Sequence, residues 1–186
     1  SCPACGENAT ESPFEKNGFH YATCTSCGTM FMNPRPSAGL IEDFLKLSEN
    51  YAFWDTHIFP ASEKTRRQKI FVPRVDRVLE LVRKHGVATE ALLEVGAGHG
   101  TFCEEMNSRN VFKRVVAVEP SSEWAKTARS RGVEVIELPV EKVDVKTHGS
   151  FEVIVNFEVI EHLFSPREFI QNCRSLLKPG GLFIVT

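Results

Sequence analysis

The stretch Leu93-Glu94-Val95-Gly96-Ala97-Gly98-His99-Gly100 runs from β-forming residues straight into a cluster of glycines. A strand that ends in glycines and turns into a helix lets its backbone approach a ligand lying over the strand ends. The spacing narrows the ligand. A dinucleotide fingerprint places its third glycine at position 101, which is Thr101 here, and the third glycine is Gly100. The next apolar run, Val115-Val116-Ala117-Val118, closes on Glu119, about twenty residues beyond the glycines. A carboxylate there can accept hydrogen bonds from both ribose hydroxyls of an adenosine. No phosphate grip accompanies it, which favours an adenosine ligand without a pyrophosphate.

Outward from this stretch, short β-rich runs alternate with amphipathic ones, the pattern of a parallel sheet. Strands are predicted near 91–95, 115–119, 133–137, 151–157 and 181–186, and helices near 100–109, 122–131 and 165–177. Near-continuous apolar runs such as Val153-Ile154-Val155 suit strands covered on both faces. Right-handed crossovers then give an α/β, Rossmann-like, doubly wound and mostly parallel sheet.

Four motifs carry a family resemblance: Glu94 to Gly100, Val116-Ala117-Val118-Glu119-Pro120, Val159-Ile160-Glu161-His162-Leu163, and Leu176-Leu177-Lys178-Pro179-Gly180-Gly181. In this order they resemble class I S-adenosylmethionine (SAM)-dependent methyltransferases. The resemblance implies that Gly96, Ala97, Gly98 and Gly100 approach the methionine part of SAM, and that Glu94 helps to position its amino acid end. Glu119, followed by Pro120, would bind the ribose. Val140 or Glu141 falls where the family contacts adenine, and Asn156 and Phe157 would line the cofactor cleft. Class I enzymes usually continue with a helix and two more strands, whereas this sequence stops at Thr186, after the fifth. Either the chain is cut short or it is an incomplete member of the family.

SAM carries its methyl group on a sulfonium, so such a protein mainly has to align a nucleophile and exclude water. A general base matters only where the acceptor must lose a proton. Glu158, Glu161 and His162 stand at i, i+3 and i+4, and on a helical turn they would face one way. Three roles remain open for them. They can shape the cleft, supply a general base (His162 oriented by Glu158), or hold a divalent ion such as Mg2+ or Mn2+, which carboxylate and imidazole suit. The Glu-x-x-Glu-His run is similar to the metal motif of ubiquinone-biosynthesis O-methyltransferases and small-RNA 2′-O-methyltransferases.

The N-terminus carries different chemistry. Cys2-Pro3-Ala4-Cys5 and Cys24-Thr25-Ser26-Cys27 are two CxxC pairs, each followed by a glycine, Gly6 and Gly28. Two such knuckles joined by a hairpin, whose strands Phe19, His20 and Tyr21 can supply, complete a tetrahedral four-cysteine zinc shell. Four thiolates close that shell, which points to a structural ion. A segment of about 30 residues buries too little core to fold alone, and zinc supplies the difference. A pair of redox CxxC motifs is the competing reading; it lacks the adjoining βαβ pattern. Cys103 and Cys173 read as buried helix residues.

Between ribbon and core, Ser37 can cap a helix bearing Leu40, Ile41, Phe44 and Leu45. Tyr51, Phe53, Trp54 and Phe59 then cluster without a period. They either pack the helices onto the main domain or form an aromatic lid. A helix is predicted from about Ser62 to His85, bent at Pro73 and stopped by Gly86. Its Lys64, Arg66, Arg67 and Lys69 make either a solvated face or a surface for an anionic substrate. The domains expected are therefore a zinc ribbon (1–36), a helical linker or lid (37–88) and a SAM-binding domain (89–186).

Of the 186 residues, 42% are hydrophobic and 25% charged, with a formal net charge of −2. That balance gives no global pull toward nucleic acid or an anionic membrane. Glu7, Glu11 and Glu15 outweigh Lys16 in the ribbon, which disfavours a phosphate-binding surface. No apolar run approaches a membrane span and no signal-peptide pattern opens the chain, so a cytoplasmic location is expected. The acceptor expected is a small molecule or a glycan, with the oligomeric state undefined. The alternatives are a zinc-ribbon RNA methyltransferase, a SAM-binding module without catalysis, and a pyridine-nucleotide oxidoreductase.

Overall fold

The computed structural model describes residues 1–8, 10–47 and 49–186, without the side chains of Ser12, Glu42, Asp43, Leu45, Lys46, Leu47, Asn50 and Tyr51. The readings placed on the Leu45 and Tyr51 side chains therefore lie outside the described residues. The chain forms two compact units: Ser1–Pro60 with Leu163–Glu168, and Ala61–His162 with Phe169–Thr186.

In the first unit, β1 (Thr10–Lys16), β2 (Phe19–Cys24) and β3 (Met30–Met32) form an antiparallel sheet in that order. Asn17 and Gly18 link β1 to β2, both at positive φ (54° and 79°). Asn-Gly suits that tight hairpin turn because its backbone twist matches the strands. The only core cluster here among the described residues is Cys2, Cys24 and Phe31, with Cys5 against it. Helix α1 (Ala38–Leu47) starts as predicted, with the Leu40 amide donating to Ser37 Oγ at 3.2 Å. Of its described apolar side chains, Leu40 and Phe44 are exposed. Helix α2 (Glu49–Phe53) leads through a π-helical turn, Trp54–Ile58, into α3 (Phe59–Arg66). Phe53 stacks on His57 and Trp54 meets the edge of Phe59.

The second unit holds the large sheet. After the end of α3, a π-helical turn at Arg67–Phe71 precedes α4 (Val72–His85). Pro73 explains the widened turn, because it has no N–H to donate and its ring would crowd the Lys69 carbonyl at α-helical spacing. Helix α4 buries Val75, Val78 and Val82 on one stripe. It ends where Gly86, at φ 62°, donates to Arg83 and Val87 donates back to Val82, a Schellman closure.

Strands β4 (Ala91–Val95), β5 (Arg114–Val118), β6 (Glu134–Ile136), β7 (Phe151–Asn156) and β8 (Leu177–Val185) lie in the order β6-β5-β4-β7-β8, all parallel. Leu92 is paired with Val115 on one side and Val153 on the other. The intervening helices are α5 (Thr101–Ser108), α6 (Ser122–Ser130), α7 (Val145–His148) and α8 (Pro166–Leu176). One core gathers Val75, Val78 and Val82 of α4, Phe102, Cys103 and Met106 of α5, and Leu92, Ala117, Val153 and Val155 of the sheet. The chain moves outward from β4 to β6, then returns to lay β7 on the opposite flank of β4. That reversal opens a crevice at the carboxyl ends of β4 and β7, where doubly wound sheets bind ligands. No helix among the described residues is long and apolar enough to cross a membrane.

The last strand begins earlier than predicted, at Leu177 rather than 181. Leu177 pairs with Phe151, and the ladder resumes irregularly at Leu182 with Val153. Pro179-Gly180 lies inside that irregularity, with Gly180 at φ 77°.

Candidate functional site

At the crevice, each glycine of the opening motif has its own physical reason. Gly96 stands at φ 77°, and a Cβ there would lie 2.5 Å from Val159 Cγ2. Gly100 stands at φ 73°, and its Cβ would lie 2.7 Å from the Ala128 Cβ, so its bareness lets the start of α5 close against α6. Gly98, at φ 54°, has nothing within 4 Å of where a Cβ would be. Of the three, only Gly98 faces open space.

Glu119 ties this loop down. Its two carboxylate oxygens accept from the Gly98 amide at 2.8 Å and the Ser121 amide at 2.9 Å. Burial pushes its pKa up, against the pull of those two amides. The amides of Gly96 and Ala97 donate to the Val118 carbonyl, and Ala97 packs on the core. Pro120, next along, is exposed. Val140 is buried in a 3-10 turn, Val140–Lys142, while Glu141 beside it is exposed. Asn156 is fully buried at the end of β7; its Nδ2 donates to the Val95 carbonyl at 2.9 Å, and its Oδ1 is buried without a hydrogen-bond partner.

Glu94 points to the α4–α5 face of the sheet and is 4% exposed. The Cys103 thiol donates to its Oε2 at 3.1 Å. Burial raises the Glu94 carboxyl to about 8, outweighing the thiol's hydrogen bond and the more distant Arg74. Burial and the neighbouring Glu94 likewise push the Cys103 thiol upward. Sequence reasoning read Cys103 as core filler and passed over Arg74; no local spacing links either to Glu94, because helix packing on β4 brings them near. The Arg74 guanidinium lies 4.9 Å from the Phe157 ring centre and 2.6 Å from Glu158 Oε1. Phe157 in turn packs against Phe102.

The predicted shared face of Glu158, Glu161 and His162 is not formed. Glu158 takes a left-handed φ of 56°, outside any helix, and only Ile160–His162 make a 3-10 turn. The Glu158 amide donates to Thr186, which anchors that kinked backbone and turns its carboxylate to Arg74. Glu161 and His162 are 4.0 Å apart and about half exposed. These three side chains do not gather ligand atoms for Mg2+ or Mn2+. Of the predicted basic face, Arg67 is spent internally: it pairs with Glu63, Glu104 and Glu105, and Arg131 shares Glu63 and Glu104 with it.

The N-terminal cysteines do converge. The Sγ atoms of Cys2, Cys5, Cys24 and Cys27 all lie within 4.8 Å of one another, with Cys2–Cys27 at 3.7 Å and Cys5–Cys24 at 3.6 Å. Sulfurs about 2.3 Å from one tetrahedral ion stand about 3.8 Å apart, so the shell fits zinc. The amides of Gly6 and Gly28 donate to the carbonyls of Cys2 and Cys24, closing both knuckles at positive φ. The Thr29 hydroxyl and amide lower Cys27 to about 6. At Cys5 the Glu7 amide acts downward, but burial and the three neighbouring thiols raise it to about 12. Four sulfurs this close cannot all ionise without a cation among them.

A family model described as a methyltransferase domain matches residues 62–186. Curated relatives include the ubiquinone biosynthesis O-methyltransferase of Caulobacter sp. (strain K31), 39% identical over 100 residues, covering 50% of this chain and 39% of that protein. The enzyme of the same name from Nitrosococcus oceani is 34% identical over 110 residues, covering 55% and 46%. The chain thus spans about half the length, or less, of the curated relatives it matches. Among solved structures, SAM-bound CalS10, an amino pentose methyltransferase from Micromonospora echinaspora, superposes with a TM-score of 0.60 at 22% identity, over 69% of this chain and 55% of that one. A SAM-dependent methyltransferase from Clostridium acetobutylicum gives 0.54 at 19% identity, over 69% and 54%. At these identities the likeness speaks to the fold.

Proposed function

The chain belongs to the methyltransferase-domain family, and on that premise we propose that it takes part in transferring a methyl group from SAM to a small-molecule or glycan acceptor. The observation that carries the reading is the Glu119 carboxylate clamped by the Gly98 and Ser121 amides beside the open space over Gly98. When bound, SAM supplies a methyl group already activated on a sulfonium.

What this chain's residues contribute follows from their partners. Each Glu119 oxygen has one amide donor and a second lone pair with which to accept from a ribose hydroxyl. Gly98 lets the loop backbone reach the ligand, with Gly96, Ala97 and Gly100 holding the loop in shape. Pro120, Val140 and Glu141 are assigned to the adenosine side. Phe157 and Asn156 are assigned to the wall of the cleft, where the unpartnered Asn156 Oδ1 suits a donor from the ligand or an ordered water. Glu158 is assigned a positioning role through Arg74, and the half-exposed His162 is assigned as the candidate base for an acceptor that must lose a proton. The names of the relatives, ubiquinone biosynthesis O-methyltransferases and an amino pentose methyltransferase, favour a small acceptor. The acidic ribbon weighs against RNA. We assign the four cysteines to one structural zinc.

Calorimetric titration of the zinc-loaded protein with SAM, S-adenosylhomocysteine and NAD tests this. Saturable heat is expected with the two adenosyl ligands and none with NAD. A folded sample giving no heat with either adenosyl ligand would sink the reading.

A further inference from the structure

Glu94 is a carboxylate sealed into the sheet without a cation of its own. It is 4% exposed at the end of β4. From α5 comes Cys103, whose thiol donates at 3.1 Å and whose backbone amide adds a weaker downward pull. From α4 comes Arg74, whose guanidinium is engaged by Glu158 at 2.6 Å and by the Phe157 ring. The end of β5 carries a second acid, Glu119, held by two backbone amides. On β7, the residue in register with Glu94 is Val155, which carries no charge. A buried carboxyl whose donors all come from Cys103, with a committed arginine and another carboxylate nearby, is more stable as the neutral acid.

SAM and its product differ by one charge. The substrate has a sulfonium that the thioether of S-adenosylhomocysteine lacks, so seating SAM adds one positive charge to this pocket. We propose that Glu94 is a charge-specificity residue: it is held as the neutral acid in the free chain, ionises when the cationic cofactor binds, and regains its proton when the neutral product occupies the site. The inference rests on the SAM-binding function proposed above. The O–H bond of the carboxyl breaks on SAM binding, its electron pair stays on the carboxylate, and the proton passes to the buffer. No other bond changes in that step.

The elevated Glu94 carboxyl, near 8, sets the range in which this is visible. At pH 7 an acid of that pKa is about nine-tenths protonated, so nearly one proton is released per SAM bound. The preference for SAM over S-adenosylhomocysteine then rises by close to tenfold per pH unit up to about pH 8 and levels off above it.

The experiment is calorimetry at pH 7 in buffers of different ionisation enthalpy, with both ligands, on the full chain and on Glu94→Gln. Wild type is expected to release close to one proton more with SAM than with S-adenosylhomocysteine, and Glu94→Gln to lose that difference. The ligand's own amine titrates equally in both proteins, so it cancels in the comparison. Should Glu94→Gln not fold, infrared difference spectra of wild type serve instead: a protonated-carboxyl band is expected to vanish with SAM and persist with the product. Equal proton counts for the two ligands, a band that does not move, or a release that survives in Glu94→Gln would each overturn the inference. Those outcomes leave SAM binding intact. Absence of binding by both ligands overturns the proposed function itself, and this inference with it.

Discussion

Gly100→Ala separates the packing role of a glycine from its backbone role, because two neighbouring glycines share one constraint but not the other. At φ 73° an added Cβ forces an L-residue into the left-handed region, which costs about 1–2 kcal/mol. The same Cβ would lie 2.7 Å from Ala128 Cβ and 3.1 Å from Ala128 Cα. The second atom is backbone, so α6 must shift, and overpacking of this kind costs about 1–3 kcal/mol. The total is about 2–5 kcal/mol. Gly98→Ala, at φ 54° with open space around it, carries only the first part, about 1–2 kcal/mol. Urea unfolding followed by fluorescence of Trp124 on α6, in a Trp54→Phe background, reads both, with the midpoint falling and the slope unchanged. Adding Ala128→Gly to Gly100→Ala should restore the steric part, giving a coupling of about 1–3 kcal/mol in the double-mutant cycle. Equal losses at Gly98 and Gly100, or a cycle without coupling, would refute the close-packing account of the third glycine.

Three further outcomes follow from the same geometry. Metal analysis should give about one zinc per chain; chelation, or Cys24→Ser with Cys27→Ser, should remove it and raise hydrogen exchange at the Gly6 and Gly28 amides, whereas zinc retained by the double variant would refute the four-cysteine shell. Because the Glu94 carboxyl rises from 4.5 to about 8 on folding, the folded state binds more protons between those values, so wild-type stability falls as pH climbs through that window. At about 1.4 kcal/mol per unit the upper bound is about 5 kcal/mol, which Glu94→Gln should recover at pH 9 but not at pH 4.5 in denaturant unfolding; a variant with the wild-type pH profile would show that Glu94 is not held neutral. Glu119→Ala removes the acceptor of the Gly98 and Ser121 amides, and SAM affinity should fall by roughly tenfold to a hundredfold at about 1.5–3 kcal/mol for a charged hydrogen bond; unchanged calorimetric affinity would remove Glu119 from the site.

The parts of this fold that were legible are those in which local sequence and tertiary position demand the same residue. Buried parallel strands have to be apolar along their whole length, so β4, β5 and β7 stand within a residue or so of their predicted spans. The effect of Pro73, a π-helical turn at Arg67–Phe71 where a bend is predicted, and the Gly86 stop are equally local, since each follows from what one residue does to its own helix. The strand predicted at 181–186 starts early because Leu177 pairs with Phe151, and bare Gly181 keeps the chain close to β7: a Cβ there would lie 2.6 Å from the Glu152 carbonyl. No periodicity encodes that approach.

The candidate site divides along the same line. Glu119 and the glycines sit at strand ends, where spacing along the chain fixes position in space, and the structure brings Gly98 and Glu119 into contact. Glu158, Glu161 and His162 share a face only at helical spacing, which presumes a helix. The chain instead spends residue 158 on a left-handed kink fastened to Thr186, and that kink sends Glu158 to Arg74. Arg74 is thereby engaged by Glu158, while Glu94, 20 residues along the chain, is bonded by Cys103. Burial is what raises the Glu94 carboxyl, and Arg74, the cation that pulls it back down, is the one that Glu158 engages. That coupling is tertiary and electrostatic, and it makes Arg74→Gln informative: Glu158 loses its ion pair while Glu94 loses a positive neighbour that pulls it down. The pH at which SAM preference levels off should then move upward from about 8, and a downward move would mean that Arg74 acts on Glu94 in some way other than by its charge.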